Sequence, residues 1–265
     1  MPDQALPYVS CTIRTLPPDR WIAAARSAIA ANPANAPAAE MMALAGIDVL
    51  EPAHLAILTS KYWGKDGVAM TVGFMEETPS DLKDRILDHM NAWSEYGNVS
   101  FALTDTDPEV RITREGDGYW SYLGTDVGHI EADKPTMSLQ EFTMQTPDSE
   151  FHRVVRHETG HTLGFPHEHL RKEIIDKIDR QKAIDYFMQT QGWSEEMVIA
   201  QVLTPLAASA LIASAEADEE SIMCYGLPGD IMEDGKPVPG GTDIDETDQQ
   251  FIAQHYPLAQ QKAAA

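Results

Sequence analysis

The sequence predicts an α/β protein of the α+β type, in which strands and helices share the N-terminal half and helices dominate the C-terminal half. Between residues 61 and 164, short segments rich in β-branched and aromatic residues alternate with turns and amphipathic helical patterns. After residue 164 the pattern is mostly helical and loop-like. The 265 residues are 43% hydrophobic, which is enough to bury the core that such a fold requires.

The first 60 residues are predicted to lead into this main domain. Residues 19–31 have helical character, with Asp19 placed to cap the helix start. The Ala/Pro/Asn-rich run at 32–39 interrupts the helix, because proline cannot continue it. This pattern fits an arm that packs on the domain, and equally a prosegment that is later removed. We therefore divide the chain into residues 1–60 and a main domain, 61–265, with subdomains 61–164 and 165–265.

The main domain is predicted to contain five strands and several helices. Pro79, Ser80 and Asp81 begin one amphipathic helix. Thr146 and Pro147 begin another, as its cap and first helical residue, and this helix should end near Gly164, where a positive φ is expected. The predicted strands are 68–74, 99–103, 110–114, 119–123 and 136–139, and the later helices are 180–189, 194–203 and 245–256.

The charge of the chain excludes two classes of partner. Asp and Glu number 42 against 19 Lys and Arg, so the net charge at pH 7 is −23. A nucleic-acid backbone and an anionic membrane surface would both be repelled. No apolar stretch approaches the roughly 18 to 20 residues of a membrane-spanning helix. We expect neither nucleic acid nor membrane as a partner, and the oligomeric state is left open.

Acidic residues are concentrated between Ser214 and Asp248. A solvated surface that keeps the protein soluble is the simpler explanation. A calcium ion is a weaker alternative, because Asp243, Asp245 and Asp248 lie close together in the sequence. Their spacing lacks the glycine at position 6 and the glutamate at position 12 of a helix-loop-helix calcium loop.

The number of cysteines and the N-terminal sequence help to predict the cellular compartment of the protein. Cys11 and Cys224 allow at most one disulfide. The chain begins Met-Pro-Asp-Gln and shows no basic segment followed by the apolar run of a secretory signal. We expect a protein that stays in the cytoplasm, is secreted by a non-classical route, or has lost a leader.

The end of the second predicted helix carries the densest group of metal-binding residue types, His-Glu-Thr-Gly-His-Thr-Leu-Gly-Phe-Pro-His at residues 157–167. Residues four apart share one helix face, so His157 and His161 can bind one metal ion. Gly164 permits a sharp turn that brings His167 to the same ion. Three histidines and a water form the open coordination of a catalytic zinc ion. Glu158 lies beside them, where a carboxylate can accept a proton from water.

This extended motif resembles that of the metzincin zinc endopeptidases, and the continuation through Glu168 and Arg171 resembles their astacin-like branch. Ser-Ile-Met-Cys-Tyr at residues 221–225 is similar to the family's Met-turn. The resemblance extends over residues 61–257. It implies a twisted mixed five-stranded sheet with helices above a mostly helical C-terminal half, and zinc in the cleft between them. The chain departs from the family in lacking four cysteines in two disulfides.

The resemblance also implies roles for individual residues. Glu158 is the general base, and Tyr225 is a fifth ligand that can move to hydrogen-bond the oxyanion. Met223 forms a hydrophobic floor beneath the zinc. Residues 119–124 form the sheet edge to which an extended substrate adds. The implied activity is endoproteolytic cleavage of protein or peptide substrates, with action outside the cell, and the zinc ligands are His157, His161 and His167.

Two other functions remain open. An inert zinc-bearing protein of the same fold could bind peptides or partners, although a pure binder has no need of Glu158 as a base. A peptidase that removes single residues would release end products and make no internal cuts.

The remaining cysteine and histidine residues also have alternative interpretations. Cys11 could pair with Cys224, or could lie on the zinc as a thiolate that keeps an uncut chain latent. Cys224 is otherwise a small buried hydrophobic residue. We expect His129, His152 and His169 to be ordinary surface or core histidines, because none has ligand spacing.

Overall fold

The computed structural model describes residues 11–37, 59–205 and 217–258. Its sheet has six strands in the order β1-β5-β6-β4-β2-β3. Only the β5–β6 pair is antiparallel, so the sheet is mixed, as predicted. The strands are β1 (Thr12–Arg14), β2 (Val68–Phe74), β3 (Val99–Leu103), β4 (Val110–Thr113), β5 (Tyr119–Tyr122) and β6 (Met137–Leu139).

The sheet differs from the five-stranded prediction because the N-terminal arm contributes β1. This strand pairs in parallel with β5, with Thr12 opposite Trp120 and Arg14 opposite Tyr122. Three residues are too few for periodicity to reveal a strand, so the sequence pattern did not predict it. At the other end of the sheet, the amide of Asn91 bonds both the N–H and the C=O of Phe101, which covers the edge of β3.

The arm continues into α1 (Trp21–Ala31), which packs against the segment after β5. The predicted capping role of Asp19 is wrong: a 3-10 turn precedes the helix, and Arg20 occupies the N-cap position without a side-chain cap. Asn35 then bonds both the N–H and the C=O of Tyr62, which joins the arm to the start of the main domain. Residues 1–10 and 38–58, which include the end of the predicted 32–39 linker, lie outside the described residues.

His157 and His161 lie on one continuous helical segment built from α3 (Asp148–Glu150), a π-helical turn (Phe151–Val155) and α4 (Arg156–Thr162). The helix begins at Asp148, one residue later than predicted. Pro147 is its N-cap residue, and the hydroxyl of Thr146 instead accepts a bond from the Thr143 amide. The remaining bounds are α2 (Ser80–Met90), α5 (Lys172–Ile175), α6 (Arg180–Gln191), α7 (Glu195–Val198), a π-helical turn (Ile199–Leu203) and α8 (Glu246–His255).

Two hydrophobic clusters form the interior. The upper core packs the sheet against α2 and the histidine-bearing helix, around Trp93, Phe151 and Phe165. The lower core gathers α6, α7 and the segment 224–238, and it includes Cys11 and Tyr225. The burial of these apolar side chains is the main favourable contribution to folding. The histidine motif lies where the two clusters meet.

The C-terminal helix α8 closes the fold. Asp245 and Asp248 form a capping box at its start. At its end the Tyr256 hydroxyl donates to the Leu163 carbonyl at 2.5 Å and accepts from the Trp63 amide at 3.0 Å. The C-terminal segment therefore holds the end of the histidine-bearing helix in place. Among the described residues, no helix combines the length and apolar character needed to cross a membrane.

Candidate metal centre

The histidine-bearing helix is fixed from both sides. The indole N–H of Trp93 donates to the Arg156 carbonyl at 2.9 Å, and the Thr162 and Ser121 hydroxyls lie 3.1 Å apart, which links the helix to β5. Both hydroxyls are fully buried. The helix therefore has little freedom to turn about its axis, and the face that carries His157 and His161 stays directed at the cleft.

The chain leaves this helix through a tight turn. Gly164 has a φ of 98°, a conformation that side chains rarely tolerate and that confirms the predicted turn. Within the turn the Phe165 amide donates to the Gly160 carbonyl at 2.9 Å. The turn carries His167 back beside the other two histidines, where it is completely buried.

The three motif histidines meet through their Nε2 atoms. His167 Nε2 lies 3.2 Å from His157 Nε2 and 2.9 Å from His161 Nε2. His157 Nδ1 lies 2.6 Å from the Ile222 carbonyl, and His161 Nδ1 lies 2.7 Å from the Phe165 carbonyl. Because a carbonyl only accepts, both Nδ1 atoms carry the proton, and both Nε2 lone pairs face the centre.

This donor set fits a zinc ion. Nitrogen ligands about 2.0 to 2.1 Å from a tetrahedral zinc lie roughly 3.3 Å apart, close to the spacing of these Nε2 atoms. Lone pairs that face one another in a buried site repel unless a cation lies between them. The carbonyls that hold the two Nδ1 atoms are the outer-shell partners that usually orient zinc-bound histidines.

Burial sets the protonation state of the cluster. It lowers the pKa of His157 to about 4, with a smaller contribution from Arg153. Burial likewise holds the pKa values of His161 and His167 well below the ordinary 6.5, and repulsion between the neighbouring rings lowers them further. The histidines are therefore neutral near pH 7, as metal ligands must be.

Glu158, Tyr225 and Cys11 surround the histidines. Both carboxylate oxygens of Glu158 and the hydroxyl of Tyr225 are buried and have no hydrogen-bond partner within bonding geometry among the described residues. Burial raises the pKa of Glu158 to about 8, although the nearby Cys11 thiol and Arg153 oppose the rise. Burial, then repulsion from Glu158, raises the pKa of Cys11. Unpaired polar groups are costly in a protein interior, so their presence together indicates a site that takes a ligand.

Cys11 lies within the cluster itself. Its Sγ and one nitrogen from each of His157, His161 and His167 all lie within 4.8 Å of one another. Cys11 and Cys224 are both buried free thiols, so the predicted alternative of a disulfide between them is wrong in this structure. Burial also raises the pKa of Cys224, whose Sγ lies 3.6 Å from the Tyr225 carbonyl. Cys224 is thus a small buried residue, as expected.

Met223 lies directly beneath the histidine-bearing helix. A Cβ atom on Gly160 would lie 2.4 Å from its Sδ atom and 3.4 Å from the Trp93 ring, so a larger residue at position 160 would force the Met223 side chain to shift. The Met223 carbonyl also accepts from the Glu168 amide at 2.8 Å. The 221–225 turn and the segment after His167 therefore form one unit.

Glu168 has partners within the chain. Its Oε1 atom lies 2.5 Å from Arg171 Nε and accepts from the Asp218 amide at 3.1 Å. Burial raises the pKa of Glu168, and Arg171 opposes that rise. This carboxylate ties the segment after the third histidine to the start of the 221–225 turn.

A small cavity of about 60 Å³ opens beside the cluster. Its walls come from β5, the histidine-bearing helix and the segments 222–226 and 239–242. Cys11, Tyr119, Arg153 and Glu158 line it. Arg153 is paired there with Glu150, with contacts of 3.0 and 2.7 Å.

The other histidines occupy distinct settings. His169 is buried, stacks on Tyr225 with ring centroids 4.0 Å apart, and contacts the Gln201 carbonyl at 2.9 Å. His152 forms a second group with His89 and Asp148, in which one ligand atom of each lies within 4.8 Å of the others. The sequence spacing did not predict this group, because His89 comes from α2. His129 lies after β5 and is half-buried.

The carboxylates considered for calcium contact separate partners. Asp243 contacts His152 Nδ1 at 2.7 Å and Arg156 at 2.6 Å. Asp245 caps α8, and Asp248 accepts bonds from the Ser221 hydroxyl and the Ile222 amide. Within the described residues these three carboxylates therefore act as structural acceptors.

Several functional neighbours were not predicted from sequence. The sequence contained one signal for Gly160, because a glycine inside a predicted helix indicates close packing. No sequence signal indicated Arg153 or Gln201, because their positions depend on tertiary contacts. The Gln201 side chain contacts Ile13 of β1.

Comparisons with known proteins agree with this geometry. The family model for the astacin peptidases matches residues 57–226. A solved structure of myroilysin superposes with a TM-score of 0.70 and 31% identity, covering 75% of this chain and 96% of that chain. A second myroilysin structure gives a TM-score of 0.57 and 32% identity, covering 75% of this chain and 87% of that chain.

A relative of known sequence is the zinc metalloproteinase nas-27 of Caenorhabditis elegans, which is 33% identical over 135 residues. The match covers 51% of this chain and 28% of that protein, so this chain spans little more than a quarter of the relative's length. The resemblance and the α+β fold inferred from the sequence are confirmed. The chain belongs to the astacin family of peptidases.

Proposed function

We propose that this chain is a zinc-dependent endopeptidase that hydrolyses peptide bonds in protein or peptide substrates. One observation carries the proposal: three buried histidine Nε2 atoms converge beside a buried carboxylate that has no partner of its own among the described residues. Membership of the astacin family supports it. The ligands would be His157, His161 and His167, with Tyr225 as a fifth ligand.

Zinc, when bound there, lowers the pKa of a water molecule towards 7 and polarises the scissile carbonyl. Glu158 accepts the proton of the attacking water and later delivers it to the leaving amine. The Tyr225 hydroxyl donates to the oxyanion that forms on the substrate carbonyl. Met223 holds the floor beneath the ligands through its contact with Gly160.

Substitution of the base tests this proposal. In the Cys11→Ser chain, which lacks the thiolate that we propose below keeps the uncut chain latent, we expect Glu158→Ala to retain one zinc per chain and to lose casein cleavage by at least about 100-fold, because general-base catalysis contributes that much or more. Glu77→Ala, at an exposed position of the same residue type, is the matched control. Unchanged turnover in Glu158→Ala would instead favour the inert binding protein. Mass spectrometry of the casein fragments separates internal cuts from the release of single terminal residues.

We further propose that residues 1–60 act as a prosegment and that Cys11 keeps the uncut chain latent as a thiolate on the same zinc. Cys11 lies within the histidine cluster, and β1 covers the edge of β5 that an extended substrate would need. Zinc K-edge absorption of the intact chain should show one sulfur ligand that is lost in Cys11→Ser. Cys224→Ser is the control, and an all-nitrogen and oxygen shell in the intact chain would end the proposal.

Action outside the cell is also proposed, as the family resemblance supports. Cell fractionation with an antibody to the chain tests it, because a protein confined to the cytoplasmic fraction would contradict extracellular action.

A further inference from the structure

Strand β1 has partners on both of its edges. One edge pairs with β5, where Ile13 lies opposite Ser121. On the other edge the Ile13 amide donates to Gln201 Oε1 at 3.2 Å, and Gln201 Nε2 donates to the Ile13 carbonyl at 3.3 Å. The side-chain amide of Gln201 therefore takes the place of a neighbouring strand.

The position of Gln201 is fixed by the lower subdomain. It lies in the π-helical turn after α7. Val198 and Val202, which come before and after it in the sequence, are completely buried. Its carbonyl contacts His169, which stacks on Tyr225. Gln201 thus belongs to the same framework as the metal centre, although it is far from the motif in sequence.

The cleft between β5 and Gln201 is wide enough for one extended chain, because β1 occupies it. Cys11 lies in the histidine cluster, and Ile13 is two residues further along the strand, about 7 Å away at the usual rise. Gln201 therefore stands beside the chain about two residues from the reacting centre. Along the strand direction, Gln201 lies level with Ser121 and Tyr122, beyond the cavity lined by Tyr119 and Arg153.

A peptide that replaced β1 would meet the same two walls. In any extended chain the N–H and C=O groups of one residue point to the same edge, and those of the next residue point to the other. A primary amide offers donors and an acceptor and can rotate by 180°, so it can bond such a pair in either chain direction.

We infer that Gln201 is a substrate-binding residue that holds the main chain of one peptide residue about two positions from the scissile bond, opposite β5. This inference rests on the proposed peptidase function. It predicts recognition of an extended backbone independent of side-chain identity, and it makes β1 an internal occupant of the same subsite.

Gln201→Ala also removes the hydrogen bonds that hold β1 in place. The test must therefore separate substrate binding from the release of β1. The full chain carrying Cys11→Ser and Glu158→Ala, loaded with zinc, is titrated with octapeptides of one sequence. In each peptide a single backbone amide is replaced by an ester, which removes one N–H donor. Loosening of β1 changes the binding of amide and ester peptides equally, so the ratio of their dissociation constants reports the contact itself.

We expect one ester position to weaken binding about five-fold more when Gln201 is present than in Gln201→Ala, as the loss of one hydrogen bond predicts. Gln201→Glu keeps the acceptor oxygen and should keep this sensitivity. If Gln201→Ala leaves the amide-to-ester ratio unchanged at every position, or no peptide binds, the inference is overturned. Casein cleavage by the Cys11→Ser chain with Glu158 intact tests the peptidase function separately.

Discussion

Gly160 and Met223 are packed so closely that a single added methyl group on the helix would lie 2.4 Å from the methionine sulfur. This contact joins the histidine-bearing helix to the 221–225 turn, whose side chains contribute to both the upper and the lower core. The same turn supplies the Ile222 carbonyl that orients His157. The geometry of the metal centre therefore depends on how the two cores pack against each other.

Gly160→Ala should lower both stability and zinc affinity. The better helix propensity of alanine contributes at most about 1 kcal/mol, whereas overpacking costs typically about 1 to 3 kcal/mol. The displaced turn would also move the carbonyl that holds His157. Thermal unfolding and zinc titration measure the two effects, and Met223→Ala in the same chain should restore part of each. Gly128→Ala is the control, because nothing lies within 4 Å of the added carbon.

Tyr225→Phe should reduce kcat with little change in KM or in zinc content. The Tyr225 hydroxyl is buried beside the histidines. The three histidine ligands remain in the variant and should keep the zinc bound, so the main loss is the hydrogen bond to the charge that develops on the substrate. Loss of one oxyanion donor typically costs about 100- to 1,000-fold in kcat. Tyr186→Phe, on α6, is the control. A variant with normal kcat would show that the hydroxyl takes no part in the chemistry.

The chain should bind one zinc ion and not two, despite the second group formed by His89, Asp148 and His152. Arg85 contacts Asp148 at 2.8 Å, and Arg156 contacts His89 at 3.3 Å. These guanidinium groups supply the positive charge that a cation would otherwise bring.

Elemental analysis measures this directly. We expect about one zinc per chain in the wild type and in His89→Ala, and almost none in His157→Ala. Two zinc ions in the wild type, falling to one in His89→Ala, would contradict the argument.

His255 should make the fold less stable as the pH falls from about 6.5 to 4. Burial lowers its pKa from 6.5 to about 4, with a smaller effect of Lys65, so the folded state favours the neutral ring. The unfolded chain takes up a proton first, and the stability present above pH 6.5 is lost as the pH falls towards the folded-state pKa.

The full difference is at most about 3 to 4 kcal/mol, since the shift is about 2.5 pKa units and one unit corresponds to about 1.4 kcal/mol. The ring stacks on Tyr62 with centroids 4.1 Å apart, and phenylalanine can preserve that contact. Metal-free chains should be compared by urea unfolding, because the ligand histidines titrate too. His255→Phe should show a smaller loss of stability than wild type between pH 6.5 and 4. Parallel pH profiles would contradict the prediction.

The local sequence determined much of the secondary structure of this protein. The β-branched and apolar composition of β2 and β3 set strand bounds that agree with prediction, because strand preference depends on the residues of the segment itself. The spacing of His157 and His161 placed them on one face for the same reason, since a helical repeat is local. The positive φ of Gly164 followed from the need to end the helix.

Tertiary structure decided the rest. Three features join residues more than 100 positions apart: the pairing of the sixth strand, the position of Cys11 among the histidines and the hydrogen bonds between Gln201 and Ile13. No periodicity carries such information, because these contacts form only when the arm and both subdomains bury their apolar faces together. The sequence by itself identified the metal-binding chemistry. Only packing determined what surrounds that chemistry and which segment of the chain lies across it.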